Sequence, residues 1–209
     1  MSVRVEISGF NLSQMMSLAG SRDQELLKKL SLYTQERSFW EPDDELDAEE
    51  QDTDPILIVE RVVSIGVPFA VLDVETPNYV DVAEILSGFE QKHLGTDSNI
   101  WGARSLWQLA QSPPYPDAAP LLEYIAAGRP VFGRRIEASP WSYGYLSNAE
   151  VRTLRKYLPE PAPYEVGPPV SEKATGFVEC LEHNDFPACL ASWLKAIDEA
   201  NLDLWISQR

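Results

Sequence analysis

The sequence predicts an α+β fold, a helix-rich single domain on a small sheet that pairs the N- and C-terminal strands. Three observations carry this. Val3, Val5 and Ile7 alternate with Arg4, Glu6 and Ser8, a period of two that marks a strand with one buried face. Leu202, Leu204 and Ile206 alternate in the same way with Asp203, Trp205 and Ser207 at the other end. Between them lie stretches with helical spacing, the best specified of which starts at Ser147. Ser147 and Glu150 have the spacing of a capping box, and Leu146 and Val151 stand where a hydrophobic staple needs them. Val151, Leu154 and Leu158 share a face, and Arg152, Arg155 and Lys156 gather where cations suit the helix dipole.

Taken in order, the N-terminal strand breaks at Gly9 and Asn11, and a short helix follows from Leu12 to Leu18. Ser21 with Gln24 repeats the capping-box spacing ahead of a helix whose buried stripe is Leu26, Leu27, Leu30 and Tyr33. Nine carboxylates fall in residues 41–54, and their repulsion predicts an extended, solvated acidic insertion. A calcium loop would need a Gly at its turn, and none is there. Asp54 and Pro55 open an apolar segment closed by Gly66, a buried helix by its caps and a strand by its β-branched content. A further helix is expected from Val80 to His93, ending at Gly95. Trp101, Leu106, Trp107 and Leu109 mark the next, and Leu121, Leu122, Tyr124 and Ile125 the one after, stopped by Gly128. Arg129 to Gly133 reads as a short strand or extended connection. Prolines at 159, 161, 163, 168 and 169 make residues 159–170 a stiff extended connector. Leu190, Trp193, Leu194 and Ile197 follow the i, i+3, i+4, i+7 rule of a helix buried along one face.

Composition bounds the function. At 209 residues, 44% of them hydrophobic, the chain carries enough apolar material for a real core and reads as one domain, residues 1–209. Its formal net charge is −16, from 33 acidic and 17 basic residues. Without the nine acids of residues 41–54 the balance is −7, so over half of the excess is local. Such a field repels nucleic acid and anionic membrane and attracts basic partners. Two cysteines, Cys180 and Cys189, are too few for a disulfide framework and suit a reducing cytosol. With no leader pattern and no long apolar run at the sequence level, the expected location is the cytoplasm.

The order of parts is itself informative. The N-terminal strand, the Trp-bearing helix from Trp101 to Leu109, Pro120-Leu121-Leu122 through Gly128-Arg129-Pro130, the run Tyr143-Gly144-Tyr145-Leu146-Ser147-Asn148-Ala149-Glu150-Val151 and the final helix and strand resemble the YfbM-like bacterial proteins, a group of domains of unknown function. The resemblance implies a bacterial intracellular α+β domain and no particular activity. Members of the group tend to carry histidines after the Trp that matches Trp101, where this chain has Gly102, Ala103 and Arg104. That departure puts any catalysis based on those histidines in doubt.

Signals for chemistry are few. Cys180 and His183 could share a helix face with Cys189 opening the next helix, but structural zinc needs four such ligands and a catalytic site three with room for water, so the cysteines read as core residues. No nucleophile elbow or phosphate-cradling loop occurs, and no catalytic residue, metal or cofactor is assigned. The remaining ligand-binding candidates are Trp101, Arg104, Trp107, Arg134, Trp141, Tyr143 and Tyr145, aromatics interleaved with arginines as at binding hot spots, with Arg135 beside them. Two functions follow: a non-enzymatic, acidic protein-binding domain of the immunity or antitoxin kind with a basic protein partner, and a small-molecule enzyme or binder using an aromatic and arginine pocket.

Overall fold

The computed structural model describes residues 5–18, 20–36, 63, 88, 92–97, 108–111, 116–130, 142–169, 174–181 and 185–208. The chain divides into two compact units, one of residues 1–12, 91–130 and 135–209 and the other of residues 13–90 and 131–134. The acidic insertion 41–54 lies outside the described residues, as does the apolar segment 54–66 apart from Val63.

In the first unit, β1 (Val5–Phe10), β2 (His93–Asp97), β3 (Ser142–Leu146), β4 (Tyr164–Gly167), β5 (Ala174–Cys180) and β6 (Asp203–Gln208) form a six-stranded mixed sheet in the order β3-β6-β1-β2-β5-β4. The strands nearest the two ends of the chain, β1 and β6, are adjacent inner strands of it. β1 and β6 run antiparallel with Ile7 opposite Ile206 and Ser8 opposite Trp205. The fold is therefore α+β, and its sheet is larger than the terminal pairing alone.

Three helices cover one face of that sheet: α3 (Ala119–Ala126), α4 (Asn148–Arg155) and α5 (Phe186–Glu199), where α1 (Leu12–Leu18) and α2 (Gln24–Glu36) come earlier in the chain. α5 lies on β1, β5 and β6, α3 on β3, and α4 on β3, β6 and α5. Ile7, Val178, Leu204 and Ile206 meet Leu190, Trp193, Leu194 and Ile197 in one buried cluster, so the stripe expected on α5 is its core face. Among the described residues the indole N–H of Trp193 meets no acceptor, a desolvation cost of ~1–3 kcal/mol set against the burial of a large ring. On the opposite side of the pleat Phe10, Trp205 and Tyr143 are also buried, their rings 5.3 and 5.4 Å apart in succession.

The caps explain the helix boundaries. Ser147 and Glu150 form both bonds of the capping box, and Leu146 and Val151 are fully buried in the same core. α4 ends at Arg155, and a turn carries the chain to Leu158. Asp203 serves two helix starts at once: Oδ1 accepts from Asn148 N at 2.8 Å and Oδ2 from Leu12 N at 2.9 Å. Each is a donor that a helix cannot satisfy internally. α5 closes with Asn201 in the left-handed region at φ 55°, and the bonds Leu202 N to Ile197 O and Asn201 N to Asp198 O satisfy its last carbonyls.

In the second unit α2 begins two residues later than Ser21 would have it, at Gln24. Asp23 Oδ1 accepts from Glu25 N and Leu26 N, both at 3.0 Å, so Asp23 and not Ser21 is the cap. A carboxylate at this position bonds the orphan donors and also complements the dipole, an advantage a hydroxyl lacks. Leu27, Leu30, Met15 and Val63 are buried, and Arg22 N bonds Val63 O at 2.8 Å.

Three other expectations change. The helix drawn to His93 and Gly95 cannot include them, because residues 93–97 are β2, paired to β1 and β5. Residues 159–169 form no helix, as their prolines require, yet Tyr164–Gly167 pairs with β5 as an edge strand. Cys180 ends β5 and does not share a helix face with His183, which lies outside the described residues. It forms a disulfide with Cys189 in the first turns of α5, Cα atoms 5.8 Å apart, so the cysteines are not separate core thiols and their number no longer speaks for a reducing compartment.

Candidate functional site

The best-built polar cluster of the first unit forms where α3 hands the chain to the edge of the sheet. Ala127 N bonds Glu123 O, and Gly128 takes φ 88°, a left-handed turn that ends the helix. The turn delivers Arg129 alongside β3, where its N–H bonds Tyr143 O at 2.8 Å. Its guanidinium lies over the rings of Tyr124 and Tyr145, 4.4 and 4.6 Å from their centroids, and Nη1 donates to Tyr145 O at 3.3 Å. The same Nη1 donates to Glu150 Oε2 at 2.9 Å. Glu150 Oε2 also accepts from Ser147 N and Ser147 Oγ at 2.8 and 2.9 Å. A single arginine thus covers the open edge of β3, holds the α4 cap and stacks between two aromatic faces.

The electrostatics follow from that geometry. Burial pushes the Glu150 carboxyl up, but the hydrogen bonds from Arg129 and Ser147 outweigh it and hold the group below its ordinary range. Burial works against the Arg129 cation too, and the Glu150 carboxylate more than compensates. Burial raises the Tyr145 phenol, with Arg129 opposing. Nothing in this set is an activated nucleophile; its chemistry is the fixing of one cation by one carboxylate.

A pH dependence is expected from it. A carboxyl whose pKa is lower folded than unfolded stabilises the fold above the unfolded value, and that contribution fades as pH falls through the folded one. The loss attributable to Glu150 therefore begins as pH drops below its reference value of 4.5. Glu150→Gln keeps a capping-box residue but removes the charge. Urea midpoints measured from neutral pH downward should fall less steeply in the variant below that point. Parallel slopes would show that the Arg129 pair adds no stability.

Of the seven candidate ligand-binding residues, the structure describes two. Tyr143 is 1% exposed, packed on Trp205. Tyr145 is partly buried in the Arg129 cluster. Trp101, Arg104, Trp107, Arg134 and Trp141 lie outside the described residues. What the residue pattern missed is Arg129: Gly128 reads as a helix stop and Arg129 as the start of a short strand or extended connection, and only the pairing of residue 129 with residue 143 brings it to Tyr145 and Glu150.

A cleft of about 390 Å³ opens between the end of α4, residues 158–161 and α5, lined by Arg152, Arg155, Lys156, Glu160 and Asp198. Arg152 Nε donates to Asp198 Oδ1 at 2.7 Å, and Arg155 donates to Asp198 Oδ2. Burial raises the Asp198 carboxyl, and the two guanidiniums reverse that and hold it below the ordinary range. Both arginines are thereby engaged in tying α4 to α5. Tyr164 donates to Glu199 at 2.9 Å, and burial with that carboxylate pushes its phenol up to about 12.

Among the described residues no three or more His, Cys, Asp or Glu side chains are grouped to hold a metal ion, and no helix is long and apolar enough to cross a membrane. No family model, curated protein or solved structure matches the chain.

Proposed function

We propose that the chain is a non-enzymatic protein-binding domain of the immunity or antitoxin kind, acting in the bacterial cytoplasm, whose acidic surface captures a basic protein partner. The kinship with the YfbM-like group is part of the same reading, supported by the order of elements along the chain. The observation that carries the function is the charge of −16. Exposed carboxylates of the first unit, Asp117, Glu123, Glu160, Glu165, Glu179 and Asp185 among them, stand without an ion-pair partner within the described residues. A surface of one sign accelerates encounter with the opposite sign and suppresses like-charged competitors. The disulfide is compatible with a cytoplasmic home because Cys180 and Cys189 are 3% and 0% exposed, and exchange requires an attacking thiolate to reach the bond.

Pull-down from the native host at two salt concentrations tests this. The recovered protein is expected to be strongly basic and to be lost as ionic strength rises from about 0.05 to 0.5 M, where the screening length falls below roughly 5 Å. Recovery of only neutral or acidic proteins, or retention indifferent to salt, would end the reading.

A further inference from the structure

The two edges of the sheet are finished differently. At β3 the outward carbonyls of Tyr143 and Tyr145 are taken by Arg129. At β4 nothing among the described residues plays that part. Leu181 N bonds Pro163 O at 2.8 Å, which makes 163 and 181 a hydrogen-bonded pair of the antiparallel ladder. Bonded and non-bonded pairs alternate, so Glu165 and Gly167 turn their backbone groups toward β5, and Tyr164 and Val166 turn theirs away from the sheet. Val166 is also 56% exposed, and Leu181, just beyond β5, is 49% exposed. The edge thus offers main-chain donors and acceptors beside exposed apolar side chains.

Its charge says what kind of strand would dock. Glu165 and Glu179 stand directly opposite each other, both exposed and neither ion-paired among the described residues. Like charges at directly opposed positions destabilise a ladder, so the pair is a local cost that a cation would relieve. Edge-to-edge pairing of two copies would bring Glu165 toward Glu165 and add to the repulsion, which argues against self-association through this edge. Pro163 and Pro168 bracket the strand and limit an added strand to about four to six residues.

We infer that β4 is a docking edge for a short extended segment of a basic protein. The segment adds to the sheet beside Tyr164–Gly167, with Lys or Arg on the face of Glu165 and Glu179 and apolar residues on the face of Val166. Main-chain bonds supply affinity and the alternating side chains supply selection, as in other strand additions. The inference rests on the protein-binding reading above and names the surface and partner chemistry for it.

The test uses the full chain, isotope-labelled, and a capped peptide of alternating lysine and valine as probe, with a peptide of the same composition in two blocks as control. Backbone amide shifts are expected to concentrate at residues 164–167 and 178–181, with affinity falling about tenfold as salt rises from ~50 to ~300 mM. Glu165→Gln with Glu179→Gln should weaken binding several-fold while leaving the melting temperature unchanged or raised. Val166→Pro removes an N–H that β5 does not use and should abolish the shifts; an N-methylated probe makes the same point without altering the protein. Absence of shifts at this edge, equal binding of the block peptide, or indifference to the two Gln substitutions would overturn the docking edge. If the probe shifts amides on another acidic surface, the edge is wrong and the protein-binding reading survives; a failed pull-down removes that reading whatever the probe does.

Discussion

Replacing Gly144 by alanine is expected to cost the fold at least ~3 kcal/mol, the upper end of ordinary overpacking and beyond it if the backbone cannot yield. A Cβ at this position would overlap the carbonyl oxygen of Tyr124 and come within 3.1 Å of Ile125 Cα. Both atoms belong to the backbone of α3, so no side-chain rotamer relieves the clash. Moving the helix would displace Leu122 and Ile125, both buried in the core, and would pull the Arg129 turn away from β3. Two other glycines calibrate the effect. At Gly9 the added carbon meets only side chains, Leu202 Cδ1 at 3.1 Å and Ile197 Cγ1 at 3.2 Å, and at Gly167 the nearest atom is 3.8 Å away. Urea midpoints of the three alanine variants should therefore fall in the order Gly144 far below Gly9, with Gly167 near the unmodified protein. A Gly144→Ala protein within ~1 kcal/mol of the parent would mean that α3 does not approach β3 this closely.

Gly144 also shows where sequence reading stops. Its neighbours Ser147 and Glu150 announce a helix start by spacing alone, since a capping box involves residues three apart. The need for glycine at 144 arises from a helix some twenty residues earlier and has no local sign. The same divide separates the strands. β1 and β6 alternate large apolar with polar residues and were legible at once. In β5 the residues facing the helices are Ala174, Gly176, Val178 and Cys180, three of them small, so the alternation is present in burial but faint in hydrophobicity. β2 is His-Leu-Gly-Thr-Asp, with one large aliphatic residue, and is a strand because β1 and β5 flank it. Tertiary pairing overrides weak propensity in both.

The Arg129 cluster follows the same logic. Tyr145, Ser147 and Glu150 stand out as an aromatic candidate and a cap, while Tyr124 reads only as part of a helix and Arg129 only as the start of a short strand or extended connection. The guanidinium joins them because a left-handed Gly128 turns the chain onto the outer edge of β3, and an edge strand with unsatisfied carbonyls accepts whatever donor the turn presents. Residue types marked the region, but the connection between its halves depends on a backbone bond between positions 129 and 143.

The second large effect concerns the cysteines, which lie nine residues apart. In the chain-entropy account, a loop of that length costs the unfolded ensemble about 2.5 kcal/mol of freedom when closed. The bond joins the end of β5 to the first turns of α5, with the described part of the connection between them exposed. Cys180→Ala with Cys189→Ala should accordingly lower unfolding free energy by roughly 2–3 kcal/mol, a little more if the vacated sulfur volumes are not refilled. Reductant should destabilise the parent by a similar amount and leave the double variant untouched, which separates the loss of the bond from the loss of packing. The Asp185 cap, whose carboxylate accepts from Ala188 N at 3.2 Å, stays in place in both, so the start of α5 should persist and the change should appear as faster unfolding of the β5 end. Thiol titration of the denatured, unreduced protein gives the sharpest check, because the bond requires that no free thiol be found and two free thiols would refute it.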